Sequence, residues 1–127
     1  MIQFELVDGL IVVPAFFYYR QSEIVANCLV DTGSAGTAVD IDLVKLDYSR
    51  PSRIVEIAGI GGNQEVVIQR IDNVDFCKRQ VKNFEVQFGD IASKFGFNAI
   101  IGSDLLNALG VCIDYERKEI LLSSKKR

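Results

Sequence analysis

The sequence predicts an all-β, mainly strand fold, and three observations carry that expectation. Apolar and polar residues alternate, or gather in short apolar blocks of strand length, along most of the chain, beginning with Ile2-Gln3-Phe4-Glu5-Leu6. A glycine-rich centre, Gly59-Ile60-Gly61-Gly62-Asn63, separates two apolar arms in the pattern of a long hairpin. Helical spacing is confined to two brief stretches, so one or two short helices accompany the strands. With 127 residues, 49% of them apolar, residues 1–127 have the size of one domain around one sizeable core.

In chain order, strands are expected at 2–6, 10–13 and 16–19. Residues 24–30 read as a buried strand that runs directly into Asp31-Thr32-Gly33-Ser34-Ala35-Gly36-Thr37. That segment has to turn, because its glycines permit tight backbone approach and its short hydroxyl side chains bond locally. Asp40 fits an N-cap for a short helix through Leu43, Val44 and Leu46. Residues 53–70 form the hairpin, with further strands at 71–76 and 81–88. Ala99-Ile100-Ile101-Gly102 reads as another buried strand ending in glycine. Ser103 then fits an N-cap for a helix through Leu105, Leu106 and Leu109, with Gly110 as its C-terminal stop. Two closing strands follow, at 111–115 and 119–122, and Lys125-Lys126-Arg127 is a solvated end.

Composition narrows the chemistry. Fourteen Lys and Arg against seventeen Asp and Glu give a formal charge of −3, which provides no broad cationic surface for nucleic acid or anionic membrane. The absence of histidine removes Ser-His-Asp and Cys-His nucleophile systems and every metal site that needs imidazole. No cofactor motif is present, and no metal is expected. Cys28, Cys77 and Cys112 lie far apart in apolar stretches, matching neither a paired metal motif nor a disulfide framework, so reduced core residues are expected. The longest apolar run, 10–19, is interrupted by Pro14, whereas a bilayer span needs about twenty residues. The N-terminal residues carry an acid and no positive charge before the apolar stretch, unlike an export signal, and a cytoplasmic location is the expectation.

Among the remaining chemistries, a carboxylate stands out. Asp31 directly follows an apolar strand, where an unpaired charge is expensive. One reading is local, with Asp31 capping its own turn through the amides of Gly33 or Ser34. The other arises from the ensemble of an apolar strand entering Asp31-Thr32-Gly33, a glycine-tipped hairpin midway, and Ile100-Ile101-Gly102 before a capped helix. These segments, in this order and spacing, resemble the retropepsin-like aspartic proteases, single-domain relatives of pepsin. Cys28-Leu29-Val30-Asp31-Thr32-Gly33-Ser34 answers the family's hydrophobic-Asp-Thr/Ser-Gly-Ala/Ser signature, and Ile57-Ala58-Gly59-Ile60-Gly61-Gly62 is similar to the flap of the viral enzymes. Ile100-Ile101-Gly102 with Leu105-Leu106 matches their hydrophobic-hydrophobic-Gly element, so the likeness covers roughly residues 24–122.

The resemblance implies a closed acid-protease β-barrel of retropepsin type and hydrolysis of an extended peptide or protein substrate. Asp31 would be the catalytic acid, Thr32 would hydrogen-bond across a dimer beneath the aspartates, and Gly33 would contact substrate through its backbone. Ala58, Gly59, Ile60, Gly61 and Gly62 would form the flap, with Ile60 as its apolar lid, while Ser34, Ile100, Ile101 and Gly102 would support the site. The chemistry needs two carboxylates sharing one proton, and no second Asp-Ser/Thr-Gly occurs, so the expected unit is a C2 homodimer. Its activity would favour mildly acidic to neutral pH. Segments 2–6 and 119–122 are candidates for a shared dimer sheet, or else for covering within one chain.

Ala35, Gly36 and Ser103-Asp104 depart from the viral pattern, which commonly has acidic residues in the first place and Arg-Asn in the second. That points to a non-viral branch and leaves as an alternative a catalytically weak or inactive dimerisation or peptide-binding module. A carboxylate metal site built on Asp31, Asp40 and Asp42 is a third reading, set back because these acids also suit turns and caps. A phosphate-cradling loop at Gly59 to Gly62 lacks the following lysine.

Overall fold

A computed structural model of the chain describes residues 1–59, 62–91 and 96–122. The fold is mainly β, and its geometry starts from the two-residue periodicity of the strand β3 (Leu10–Tyr19). Ile11, Val13, Ala15, Phe17 and Tyr19 are all buried, while Leu10, Pro14 and Phe16 face outward. The two strands expected at 10–13 and 16–19 are therefore one. Pro14 is tolerated because it lies between the residues of β3 that pair with β2 (Leu6–Val7) and those that pair with β7 (Gly62–Phe76). A missing amide hydrogen is cheapest in such a gap. The segment expected as a single strand at 2–6 divides into β1 (Ile2–Gln3) and β2, which join different sheets.

The larger sheet follows from β3 and its hairpin partner β4 (Ser22–Val30), joined through Arg20 and Gln21, both with positive φ. Beyond β4 come β9 (Ala99–Ile101), β5 (Ala38–Asp40), β8 (Arg79–Gly89), β7 and β6 (Ser52–Gly59). The β4–β9 and β5–β8 pairs are parallel, and the other neighbours are antiparallel. An additional pairing of β7 with β3, at Phe16↔Asp75, Phe17↔Val74 and Tyr18↔Asn73, brings the sheet round into a ring. The ring is not the closed β-barrel expected from the sequence. Regular closure needs a common tilt and stagger, whereas β5 and β9 have three residues each and β7 has fifteen. β2 and β6 also lie outside it.

A second sheet of three strands, in the order β1-β11-β10, is built from β10 (Val111–Asp114) and β11 (Glu119–Leu122). Both edges of β11 are paired within the chain, by Ile2↔Ile120 and Gln3↔Glu119 on one side and by β10 on the other. The separate strand expected at 71–76 is part of β7, which runs through it without a break. The helix expected after Asp40 is only a 3₁₀ turn, Ile41–Leu43. Asp40 caps it by accepting from the Asp42 amide, and Val44 then returns to extended backbone. The second helix, α1 (Ser103–Leu109), ends as expected at Gly110 in the left-handed conformation, φ 71°. Its N-cap is Gly102 rather than Ser103. Arg79 closes the other end, donating from Nη1 to the Leu109 carbonyl at 3.1 Å.

The core joins the inner faces of β3 and β4 to β7, β8 and α1. Phe17, Tyr19, Phe76, Phe88, Ile101, Leu105 and Ile120 are among its largest fully buried side chains. Tyr19 donates to Gln69 Oε1 and accepts from the Asp47 amide at 2.7 Å, while Arg50 lies 5.0 Å over its ring. Arg50 also pairs with Asp47 and Asp72, so the segment entering β6 is fastened to the core. Leu105 has no exposed surface, and it joins α1 to this core. Its truncation in Leu105→Ala leaves a cavity, and urea unfolding should read a loss of about 2–5 kcal/mol with an unchanged m-value.

Candidate functional site

The site is organised by the parallel pairing of β4 with β9, which sets Leu29 beside Ile100 and Val30 beside Ile101. The ladder continues one residue past β4, where the Asp31 amide donates to the Ile101 carbonyl at 2.9 Å. Asp31 then starts a turn. The Gly33 amide donates to Asp31 Oδ1 at 2.9 Å, and the Ser34 amide donates to the Asp31 carbonyl at 3.1 Å. Asp31 thus caps its own turn, as one reading of the sequence held. Asp31 is half-buried, and Thr32 and Gly33 are exposed.

The far end of the loop is also tied down. Ser34 Oγ donates to the Gly36 carbonyl at 2.9 Å, and the Ser103 amide donates to the Ser34 carbonyl at 2.7 Å. Buried Thr37 donates from Oγ1 to Asp104 Oδ1 at 2.8 Å and from its amide to Asp104 Oδ2 at 3.1 Å. The same hydroxyl accepts the Gly102 amide at 3.1 Å. Five of the residues singled out in the sequence, Asp31, Gly33, Ser34, Ile101 and Gly102, therefore meet in one bonded unit. Ile100 is half-buried and Ile101 fully buried. Asp104 and Thr37 are the residues the sequence reading did not assign. A carboxylate two residues after Gly102 was legible only as a departure from the viral pattern.

Gly102 is required by space and not by its backbone angles. A Cβ there would lie 2.7 Å from both the carbonyl carbon and oxygen of Gly36, and 2.9 Å from the Ser34 oxygen. Those are backbone atoms and cannot swing aside as a side chain could. Behind the loop, the Gln87 amide donates to the Thr37 carbonyl at 2.9 Å, and the Gln87 side chain covers Gly36.

The expected flap is the β6–β7 hairpin. Its strands stay in register as far as Gly59↔Gly62, with Ala58↔Asn63 beside them. Ala58, Gly59 and Gly62 thus belong to strands. Ile60 and Gly61 lie outside the described residues. The register puts Val55 opposite Val66 and Ile57 opposite Gln64, so these four share one hairpin face; Val66 is buried and the other three are half-buried. Glu56, Ala58, Asn63 and Glu65 occupy the other, exposed face. The hairpin is attached to β8, because Gln64 Nε2 donates to the Asp90 carbonyl at 3.0 Å and Val66 packs on Gly89. The strand end that touches the hairpin through Gly89 also touches the Asp31 loop through Gln87.

Cys28, in β4 shortly before Asp31, is buried, and burial pushes its thiol up to about 12. All the cysteines are free; Cys28 and Cys77 are core residues as expected, whereas Cys112 is exposed. Among the described residues, no group of three or more potential ligand side chains is arranged to hold a metal ion, and no helix is long and apolar enough to cross a membrane. No protein-family model matches the chain, and no curated protein matches it significantly.

Two outcomes follow from this geometry. Gly102→Ala should lower stability by about 1–3 kcal/mol in urea unfolding, because the added methyl group meets backbone. A neutral alkylating reagent at pH 8 should modify Cys112 in the folded protein, with Cys28 and Cys77 modified only after denaturation, as mass spectrometry of the labelled peptides would read.

Proposed function

We propose that this chain is an aspartic endopeptidase of the retropepsin-like type, active as a homodimer on extended peptide or protein segments. The observation that carries the reading is the Asp31 turn, held on the Ile101-Gly102 strand end in a mainly β protein that also has a long apolar-faced hairpin. Asp31 Oδ1 takes the Gly33 amide, and no described residue donates to Oδ2. A carboxylate fixed through one oxygen and half-buried suits pairing with a second carboxyl.

The chemistry needs that second group. One carboxylate takes a proton from water as the water attacks the scissile carbonyl, while the other, protonated, donates a hydrogen bond to the carbonyl oxygen. The proton then passes to the leaving amine, and the dyad regains its starting state. One chain provides Asp31 alone, so a two-fold axis must bring in the partner's copy. Two adjacent carboxyls titrate in separate steps, and only the singly protonated pair can act as both acid and base. Activity should therefore fall on the acid side, where both are protonated, and on the alkaline side, where both are ionised.

The hairpin would serve as the flap. Its half-buried face offers Val55 and Ile57, and its backbone can bond an extended peptide while excluding water. Thr32, exposed beside Asp31, would bond across the dimer. Because β11 has both edges paired, association through the terminal sheet would have to use β1 or β10 as its edge.

Asp31→Asn keeps an oxygen for the Gly33 amide and so keeps the turn, but it removes the acid and base. Peptide-library cleavage from pH 4 to 7 should fall by about 10²–10⁴-fold or more, with the circular dichroism spectrum and oligomeric state unchanged. Equal cleavage by wild type and variant would overturn the assignment, and a wild type that binds peptides without cutting them would favour the binding module.

A further inference from the structure

The far end of the loop carrying Asp31 is fixed by Asp104. One oxygen, Oδ1, accepts from both Thr37 Oγ1 and the Leu105 amide, each at 2.8 Å, and Oδ2 accepts the Thr37 amide at 3.1 Å. Thr37 is fully buried, and its hydroxyl both donates to Asp104 and accepts the Gly102 amide. Hydrogen bonds to an ionised acceptor are the stronger kind, and a hydroxyl used in both directions has a single permitted orientation.

From these contacts we infer that Asp104 is a positioning residue, which acts through Thr37 to set the loop 31–37 and so the aim of the Asp31 carboxyl. The inference rests on the proposed peptidase reading. Segment 101–104 bonds the loop at its start through Ile101, at its middle through Ser103, and at its end through Gly102 and Asp104. Removing the last tie leaves the core packing intact but lets the loop shift against its base. A displacement of about 1 Å in a catalytic group can cost about 10²-fold in rate.

The test compares Thr37→Val, which keeps the shape and loses the hydroxyl, with Thr37→Ser, which keeps the hydroxyl and loses a methyl group. Asp104→Asn is the third variant. If the bonds position the loop, Val and Asn variants should lose about 10–100-fold in kcat with KM within about threefold, and Ser should stay within about threefold of wild type. The double variant Thr37→Val/Asp104→Asn should lose no more than the worse single one, because both break one network. A packing role predicts the reverse order, Ser worse than Val, and that order or an unchanged kcat in Val overturns the inference. Amide exchange supplies a readout independent of cleavage: Gly33, Ser34 and Thr37 should lose protection in Val and Asn and keep it in Ser. An inactive wild type would defeat the peptidase reading, while unchanged exchange in all the variants would defeat the positioning role by itself.

Discussion

The close passage of Gly102 beneath Ser34 and Gly36 is the constraint on which the rest of the arrangement depends. Two segments far apart in sequence can touch backbone to backbone only where no Cβ intervenes. There the 101–104 segment exchanges four kinds of bond with the Asp31 loop: strand pairing at Ile101, a loop carbonyl at Ser34, the Thr37 hydroxyl, and the Asp104 carboxylate. Each leaves a buried or half-buried polar group satisfied, and satisfaction matters more than the number of bonds, because an orphaned buried donor costs about 1–3 kcal/mol. The fold supports this junction by burying Ile101 on one side and Leu105 on the other.

The β6–β7 arm is held along its length, by Gln64 near its end, by Val66 on Gly89 midway and by the Arg50 cluster at its root. Its inner face carries Val55, Ile57 and Val66 together with Gln64, and its outer face carries Glu56, Ala58, Asn63 and Glu65. The acid loop and the hairpin both rest on the end of β8, the first through Gln87 and the second through Gly89. On the proposed reading, the first supplies the reacting group and the second the cover.

Much of this was legible in the sequence, and the reasons differ by element. The strand into Asp31, the Ile-Ile-Gly strand end, the hairpin centre and the Gly110 helix stop all depend on local patterns, and each has the place that pattern gave it. Continuity was harder to read. Pro14 looked like a break but sits in a pairing gap, and β7 showed no sign that its outer and inner halves were one strand. The expected helix after Asp40 shrank to one turn because Val44 turns extended immediately after it. Closure of the sheet depends on the β3–β7 pairing and on unequal strand lengths, which no local window contains. Asp104 was invisible as a site residue for the same reason, since its partner Thr37 is near only after β5 and β9 have been brought together.

On the proposed reading, the Asp31 loop is half of a catalytic centre, completed by a second copy. Mixing wild-type chain with Asp31→Asn chain at constant total concentration, after unfolding and refolding them together, tests it directly. Each mixed dimer holds one acid and should be dead, so peptide cleavage should fall as the square of the wild-type fraction, to about a quarter at equal amounts. A linear fall, to about half, would mean that one chain suffices and would contradict the account.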